Sequence, residues 1–188
     1  LQLAAAYYGL GSIAFADGRP AEAIEPLTLS LGINRADADA LHLIGRAYTA
    51  TGETARAIES LRRAIAFVPI GWADPYVALA DAYATAGNAP FASWASAMAA
   101  FVAGDTATAV AGLEPLVGGP AGVDAAIGLG LIAATSGDTG TAATWYRAAL
   151  DAEPGNAAAG LGLKRVATPG QTPLPALPKP GELGGNGS

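Results

Sequence analysis

Five glycines recur in short polar stretches of this chain, at Gly18, Gly52, Gly87, Gly104 and Gly137, with intervals of 34, 35, 17 and 33 residues. Alanine stands five residues after each, at Ala23, Ala57, Ala92, Ala109 and Ala142. Four residues further on come Leu27, Leu61, Ser96, Leu113 and Tyr146. A fixed period of this length marks a chain that builds one small unit several times and buries its core between neighbouring copies. The loop glycine suits the left-handed backbone that ends a helix. The leucines and aromatics between the glycines recur at three- and four-residue spacing, which places them on one helix face. The unit is therefore helix, tight turn, helix.

Composition agrees. Apolar residues make up 52% of the 188, much of that alanine, and aromatics only 7%. Alanine is the best helix former and lets helices approach closely. β-Branched runs of period two are absent, so the expected class is all-α. A chain of this length forms one domain or a short array.

Charge narrows the partners. Only 14% of residues are charged and the balance is −6, with two lysines, Lys164 and Lys179, both near the C-terminus. Nucleic-acid binding needs clustered cations to displace counterions from phosphates, and the only adjacent basic pairs are Arg62-Arg63 and Lys164-Arg165, far apart in the chain, so no nucleic-acid partner is expected. No apolar run reaches the roughly 18 residues of a membrane span, so no direct membrane span is expected. Absence of cysteine removes disulfides and thiolate metal sites and leaves the compartment open. The chain starts at Leu1 and shows no signal-peptide pattern, so it reads as a processed or excised piece. Its Ala/Gly/Arg-rich, Lys-poor usage suggests a high-GC bacterium, without choosing between cytoplasm and periplasm.

The register resembles the tetratricopeptide repeat family, whose unit is a 34-residue helix–turn–helix with the pattern W-x2-L-G-x2-Y…A-x3-F…P. The second unit carries it best, with Leu41, Ile44-Gly45 and Tyr48, then Ala57, Leu61 and Pro69. The first gives Tyr7, Leu10-Gly11 and Ala14, then Ala23 and Leu27. The third gives Tyr76, Leu79-Ala80 and Tyr83, then Ala92 and Ser96. The last gives Ala126, Leu129-Gly130 and Ala133, then Ala142, Tyr146 and Pro154. The resemblance implies a right-handed superhelical solenoid of antiparallel helix pairs, about ten helices in all. Units fall near 4–37, 38–72, 73–89, 90–122 and 123–156, and a helix over 157–166 with Lys164 and Arg165 closes a repeat domain of 1–166.

Proline and aspartate punctuate the array. Pro69 and Pro154 stop second helices, and Pro20 and Pro90 open helices. Asp74-Pro75 reads as an N-cap followed by proline in the first helical position. Asp39, Asp74 and Asp124 recur at starts of first helices, where they cap helices and complement the dipole; the competing reading is metal or substrate binding. Pro26 and Pro115 fall inside predicted second helices, where each should kink the helix or delay its start. The 17-residue interval between Gly87 and Gly104 is half a repeat. The helix over 90–103 is thus either a degenerate second helix of unit three or a first helix of unit four, and a change of curvature is expected there. From 167 to 188 the chain turns Pro/Gly-rich, which favours an extended tail, either a plain linker or a segment that docks on another subunit.

Chemistry is sparse. There is one histidine, His42, no cysteine, and no G-x-S-x-G, H-E-x-x-H or Walker-type string. Neither catalytic residues nor a cofactor or metal is expected. In the family the groove lined by first helices receives the partner, and its inward stripe falls one, five and eight positions after the motif's opening residue. That gives Tyr8, Ser12 and Phe15; His42, Arg46 and Thr49; Val77, Asp81 and Ala84; and Ile127, Leu131 and Ala134. If 90–103 serves as a first helix, Trp94, Met98 and Phe101 join them. The alternative is that the aromatics simply pack between helices and His42 and Arg46 are solvated. The expected function is a non-catalytic scaffold that binds an apolar peptide or helix of a partner protein. The alternatives are a structural subunit of a large assembly, held by its ends and Pro-rich tail, or the scaffold region of a longer enzyme.

Overall fold

The computed structural model describes residues 2–66 and 71–167. Ten α-helices follow one another in these residues: α1 (Gln2–Ala16), α2 (Pro20–Ile33), α3 (Ala38–Ala50), α4 (Thr54–Ile65), α5 (Asp74–Thr85), α6 (Ala89–Val102), α7 (Thr106–Leu113), α8 (Gly122–Thr135), α9 (Thr139–Ala152) and α10 (Ala157–Ala167). Each packs against its neighbours in sequence, giving a solenoid of antiparallel helices. Pro69 and the tail from 168 onward lie outside the described residues.

All five register glycines adopt positive φ, between 72° and 96°. Each closes the same pair of hydrogen bonds. Gly52 N–H donates to the Thr49 carbonyl at 3.1 Å and Glu53 N–H to the Tyr48 carbonyl at 2.8 Å, and the pattern repeats at Gly18, Gly87, Gly104 and Gly137. These bonds satisfy the last carbonyls of one helix, and the residue after the glycine is already the N-cap of the next. So tight a turn forces the two helices to run antiparallel in contact. Gly45 shows why the first helix carries a glycine: a methyl there would lie 2.5 Å from Leu61 Cγ, so only hydrogen fits between α3 and α4. Leu27, Leu61 and Leu113, the register leucines, are completely buried.

Three local expectations need correction. Asp74 is not a cap: Ala73 is, because its carbonyl already accepts from Tyr76 and Val77 N–H, and Pro75 then sits where no N–H is required. Asp39 and Asp124 likewise lie in first turns, where they face the positive end of the dipole without capping. The side-chain caps are Asp37, Asp105, Asp138 and Asn156, each accepting a backbone N–H three residues on at 2.9–3.0 Å. Pro26 does not delay α2, which starts at Pro20 and continues through it. Pro115 does act, since α7 ends at Leu113 and a 3-10 turn, Glu114–Leu116, replaces its last stretch.

The half-repeat has a structural counterpart. Helix α6 packs against both α5 and α7. Up to that point, helices two apart touch on the odd side, α1 with α3 and α3 with α5; beyond it they touch on the even side, α6 with α8 and α8 with α10. The row of helices in contact is the inner side of a bend. The side on which alternate helices touch therefore changes over at α5/α6.

Candidate functional site

Helices α1, α3 and α5 form the inner row of the first bend, and a groove of about 480 Å³ runs across them. Its lining joins Phe15 of α1, His42, Arg46 and Thr49 of α3, and Val77 and Asp81 of α5. All six belong to the stripe predicted from the motif. Ala50, Asp74 and Ala78 also line it, and the motif count missed them. Asp74 and Ala78 could have been found from helical spacing alone, since Asp74 stands three before Val77 and Ala78 three before Asp81 on α5.

The side chains are held in distinct ways. The Arg46 guanidinium lies 4.8 Å from the centre of the Phe15 ring, a cation–π contact that ties α3 to α1. His42 meets Trp72 edge-on, with ring centres 5.5 Å apart. Burial, and then the positive charge of Arg46, pulls the His42 imidazole down to about 4, with Asp74 opposing. It is therefore neutral near pH 7 and offers one donor and one acceptor. Val77 is 48% exposed between Asp74 and Asp81 on the same face of α5. Among the described residues neither carboxylate takes part in an ion pair. The groove thus has an apolar floor with a cation on one wall and two carboxylates on the other.

The remaining stripe residues lie elsewhere. Tyr8 and Ser12 are half-buried and outside this lining, Tyr8 packed on the core. Ala84 is exposed at the end of α5. Ile127, Leu131 and Ala134 of α8 are half-buried beyond the changeover. Trp94 and Met98 are corrected outright: at 6% and 4% exposure they belong to the core and present no groove surface. The reason is that α6 is flanked by α5, α7 and α8 together, so its aromatic stripe points inward; Phe101 is half-buried against the same core.

A polar junction marks the changeover. Arg62 of α4 donates to the Tyr83 hydroxyl at 2.9 Å, lies 5.9 Å from the Trp94 ring centre, and reaches Asp124 of α8 at 3.4 Å. Among the described residues Trp94 Nε1 is buried with no hydrogen-bond partner. The described residues contain no group of three or more His, Asp or Glu that could hold a metal ion, and no helix long and apolar enough to cross a membrane.

Two family models match the chain, both described as tetratricopeptide repeat, one over residues 40–67 and the other over 3–38 and 77–157. No curated protein matches it in sequence. Among solved structures it is similar to the APC/C hetero-tetramer Cut9–Hcn1, at 18% identity and TM-score 0.48. That alignment covers 86% of this chain and 29% of the other, so this chain spans less than a third of that protein. The MamA protein aligns at 20% identity and TM-score 0.39, covering 88% of this chain and 81% of MamA. A thermophilic TPR protein of Thermus thermophilus, TTC0263, aligns at 17% identity and TM-score 0.42, over 87% and 98% of the two chains.

Proposed function

Because the chain belongs to the tetratricopeptide repeat family, a class of protein-interaction scaffolds, we propose that its first-helix groove receives an apolar or amphipathic segment of a partner protein. One observation carries this reading: Phe15, His42, Arg46, Val77 and Asp81, distant in sequence, line a single groove whose floor includes an exposed valine. Val77 and Ala78 would cover an apolar side chain of the ligand. Neutral His42 would bond a backbone group of the ligand, and Arg46, already oriented by Phe15, would meet an acceptor. No step of chemistry is asked of any of them.

The test is selection from a random-peptide display library on the folded chain. Selected peptides should lose about tenfold or more in affinity, some 1.4 kcal/mol, on Arg46→Ala combined with Val77→Glu. Equal binding to this variant, at unchanged helicity, would place the ligand elsewhere.

A structural-subunit reading has its own observation. Leu10 and Ile13 of α1 are 57% and 59% exposed, whereas Ile44 and Ala47, their equivalents one repeat later, are covered by the preceding helix pair. Leu29 and Ile33 of α2 add to the same apolar face. A neighbouring helix pair would cover it in the way α1 and α2 cover α3.

A further inference from the structure

On the outer side of the first bend, α2, α3 and α4 enclose a second cleft of about 490 Å³, lined by Arg35, Arg56 and Arg63 together with Tyr48, Glu59 and Ser60, among others. The chain carries ten basic residues against sixteen acidic ones. Three arginines lining one cleft run against that balance.

Nor does the repeat explain them. Counted from the loop glycine Gly52, Arg56, Glu59 and Arg63 stand four, seven and eleven residues on. The same places after Gly18 hold Glu22, Glu25 and Leu29; after Gly104, Thr108, Ala111 and Pro115; after Gly137, Thr141, Thr144 and Ala148. A polar face common to all units would repeat its charges, and this one occurs once.

Two of the arginines are also held in place. Arg63 Nη2 donates to the Arg35 carbonyl at 3.0 Å, which fixes it against the loop between α2 and α3. Arg56 lies 4.2 Å from the centre of the Tyr48 ring and pairs with Glu53 at 2.7 Å. Arg62, next to Arg63 in sequence, turns the other way to Tyr83 and Asp124, so that basic pair is divided between two tasks. A guanidinium offers five donors in a fixed fork, and one bond to a carbonyl or carboxylate leaves most of them unused. Positioned forks of this kind match carboxylates in bidentate geometry.

We propose that the cleft between α2 and α4 is a second binding site, for an acidic segment of a protein partner. The cleft suits a short peptide whose carboxylates straddle Glu59 and engage Arg56 on one side and Arg35 and Arg63 on the other. An extended polyanion is a poorer match, because the basic surface is confined to one step of the array and the chain as a whole is acidic. The site lies on the face of α3 that carries Ile44 and Tyr48, away from the groove lined by His42 and Arg46, and does not draw on that groove's function.

The experiment is a titration of the 188-residue chain with hexaglutamate peptide, followed through the arginine Nε–Hε signals by NMR. Saturable shifts at Arg35, Arg56 and Arg63 are expected. Affinity should fall about tenfold on Arg56→Gln combined with Arg63→Gln, and it should weaken as salt is raised. Both residues are exposed, and an unchanged melting temperature would show that the variant is folded. Arg46→Ala with Val77→Glu should leave hexaglutamate binding as it was. Shifts spread evenly over all arginines, or unaltered affinity in the double glutamine variant, would overturn the proposal. Binding of inorganic phosphate as tight as that of the peptide would overturn it too, since the site would then read a point charge and not a peptide.

Discussion

At Gly45 the whole interface between α3 and α4 depends on a missing methyl. Gly45→Ala places carbon 2.5 Å from Leu61 Cγ and should cost about 1–3 kcal/mol in urea unfolding, the usual range for overpacking a closed core. Gly9→Ala, in a helix whose added methyl meets nothing within 4 Å, should stabilise by about 0.5–1 kcal/mol through helix propensity alone. The two signs separate packing from propensity in one experiment. His42 supplies a pH test. Its folded value of about 4 lies below the ordinary 6.5, so as pH falls through that window the unfolded chain takes up the proton first and stability is lost. Burial raises the carboxyls of Asp39 and Asp124, and those groups act in the opposite direction on acidification. The difference in unfolding free energy between the wild type and His42→Gln, followed from pH 7 downward, isolates the histidine. A flat difference would show that His42 is hydrated in the folded state.

At the level of elements, most of the fold was legible because it is written in backbone requirements. A glycine followed by a capping residue can do few things other than end one helix and begin the next. The same rule would have located the true caps Asp105 and Asp138, each directly after a loop glycine. Asp37 was harder to read: Asp37 and Asp39 are chemically equal candidates, and the choice falls on the one whose carboxylate reaches Ala40 N–H at 3.0 Å. Asp37→Ala should cost about 1 kcal/mol and Asp37→Asn little, by thermal unfolding, while Asp39→Asn should not show the loss of a cap. What stayed illegible was the role of α6. Its alanine-rich sequence offers an apolar residue on nearly every face, and only the surrounding helices decide that Trp94 and Met98 turn inward. Phe15, His42, Arg46, Thr49, Val77 and Asp81 were readable because the repeat motif fixes their place on each first helix, whereas Tyr8, Ser12 and Ala84, counted the same way, fall outside the lining.

Across the whole molecule the row of touching alternate helices changes over at α5/α6, and among the described residues Arg62 bridges α4 to α8 at that junction. The pair is partly exposed, so its ionic contribution is small. Its position matters more, because the guanidinium also contacts Tyr83 and the Trp94 face. Arg62→Met should leave global unfolding little changed yet raise amide exchange several-fold in the first turn of α8, reporting local opening at the junction. Uniform exchange across α8 would show the two rows to be coupled through packing alone.

The changeover at α6 also sets a length. The inner row of the first bend stops at α5, because α8 lies beside α6 and extends the other side. Neighbouring helix axes lie about 10 Å apart, so three of them define a track of about 20 Å. An extended chain covers about 3.3 Å per residue, which makes that track roughly six residues long. A uniform solenoid would offer its ligand an open-ended rail. If the groove receives a partner segment as proposed, the half-repeat acts as an end-stop, and the array measures that segment as well as recognising it.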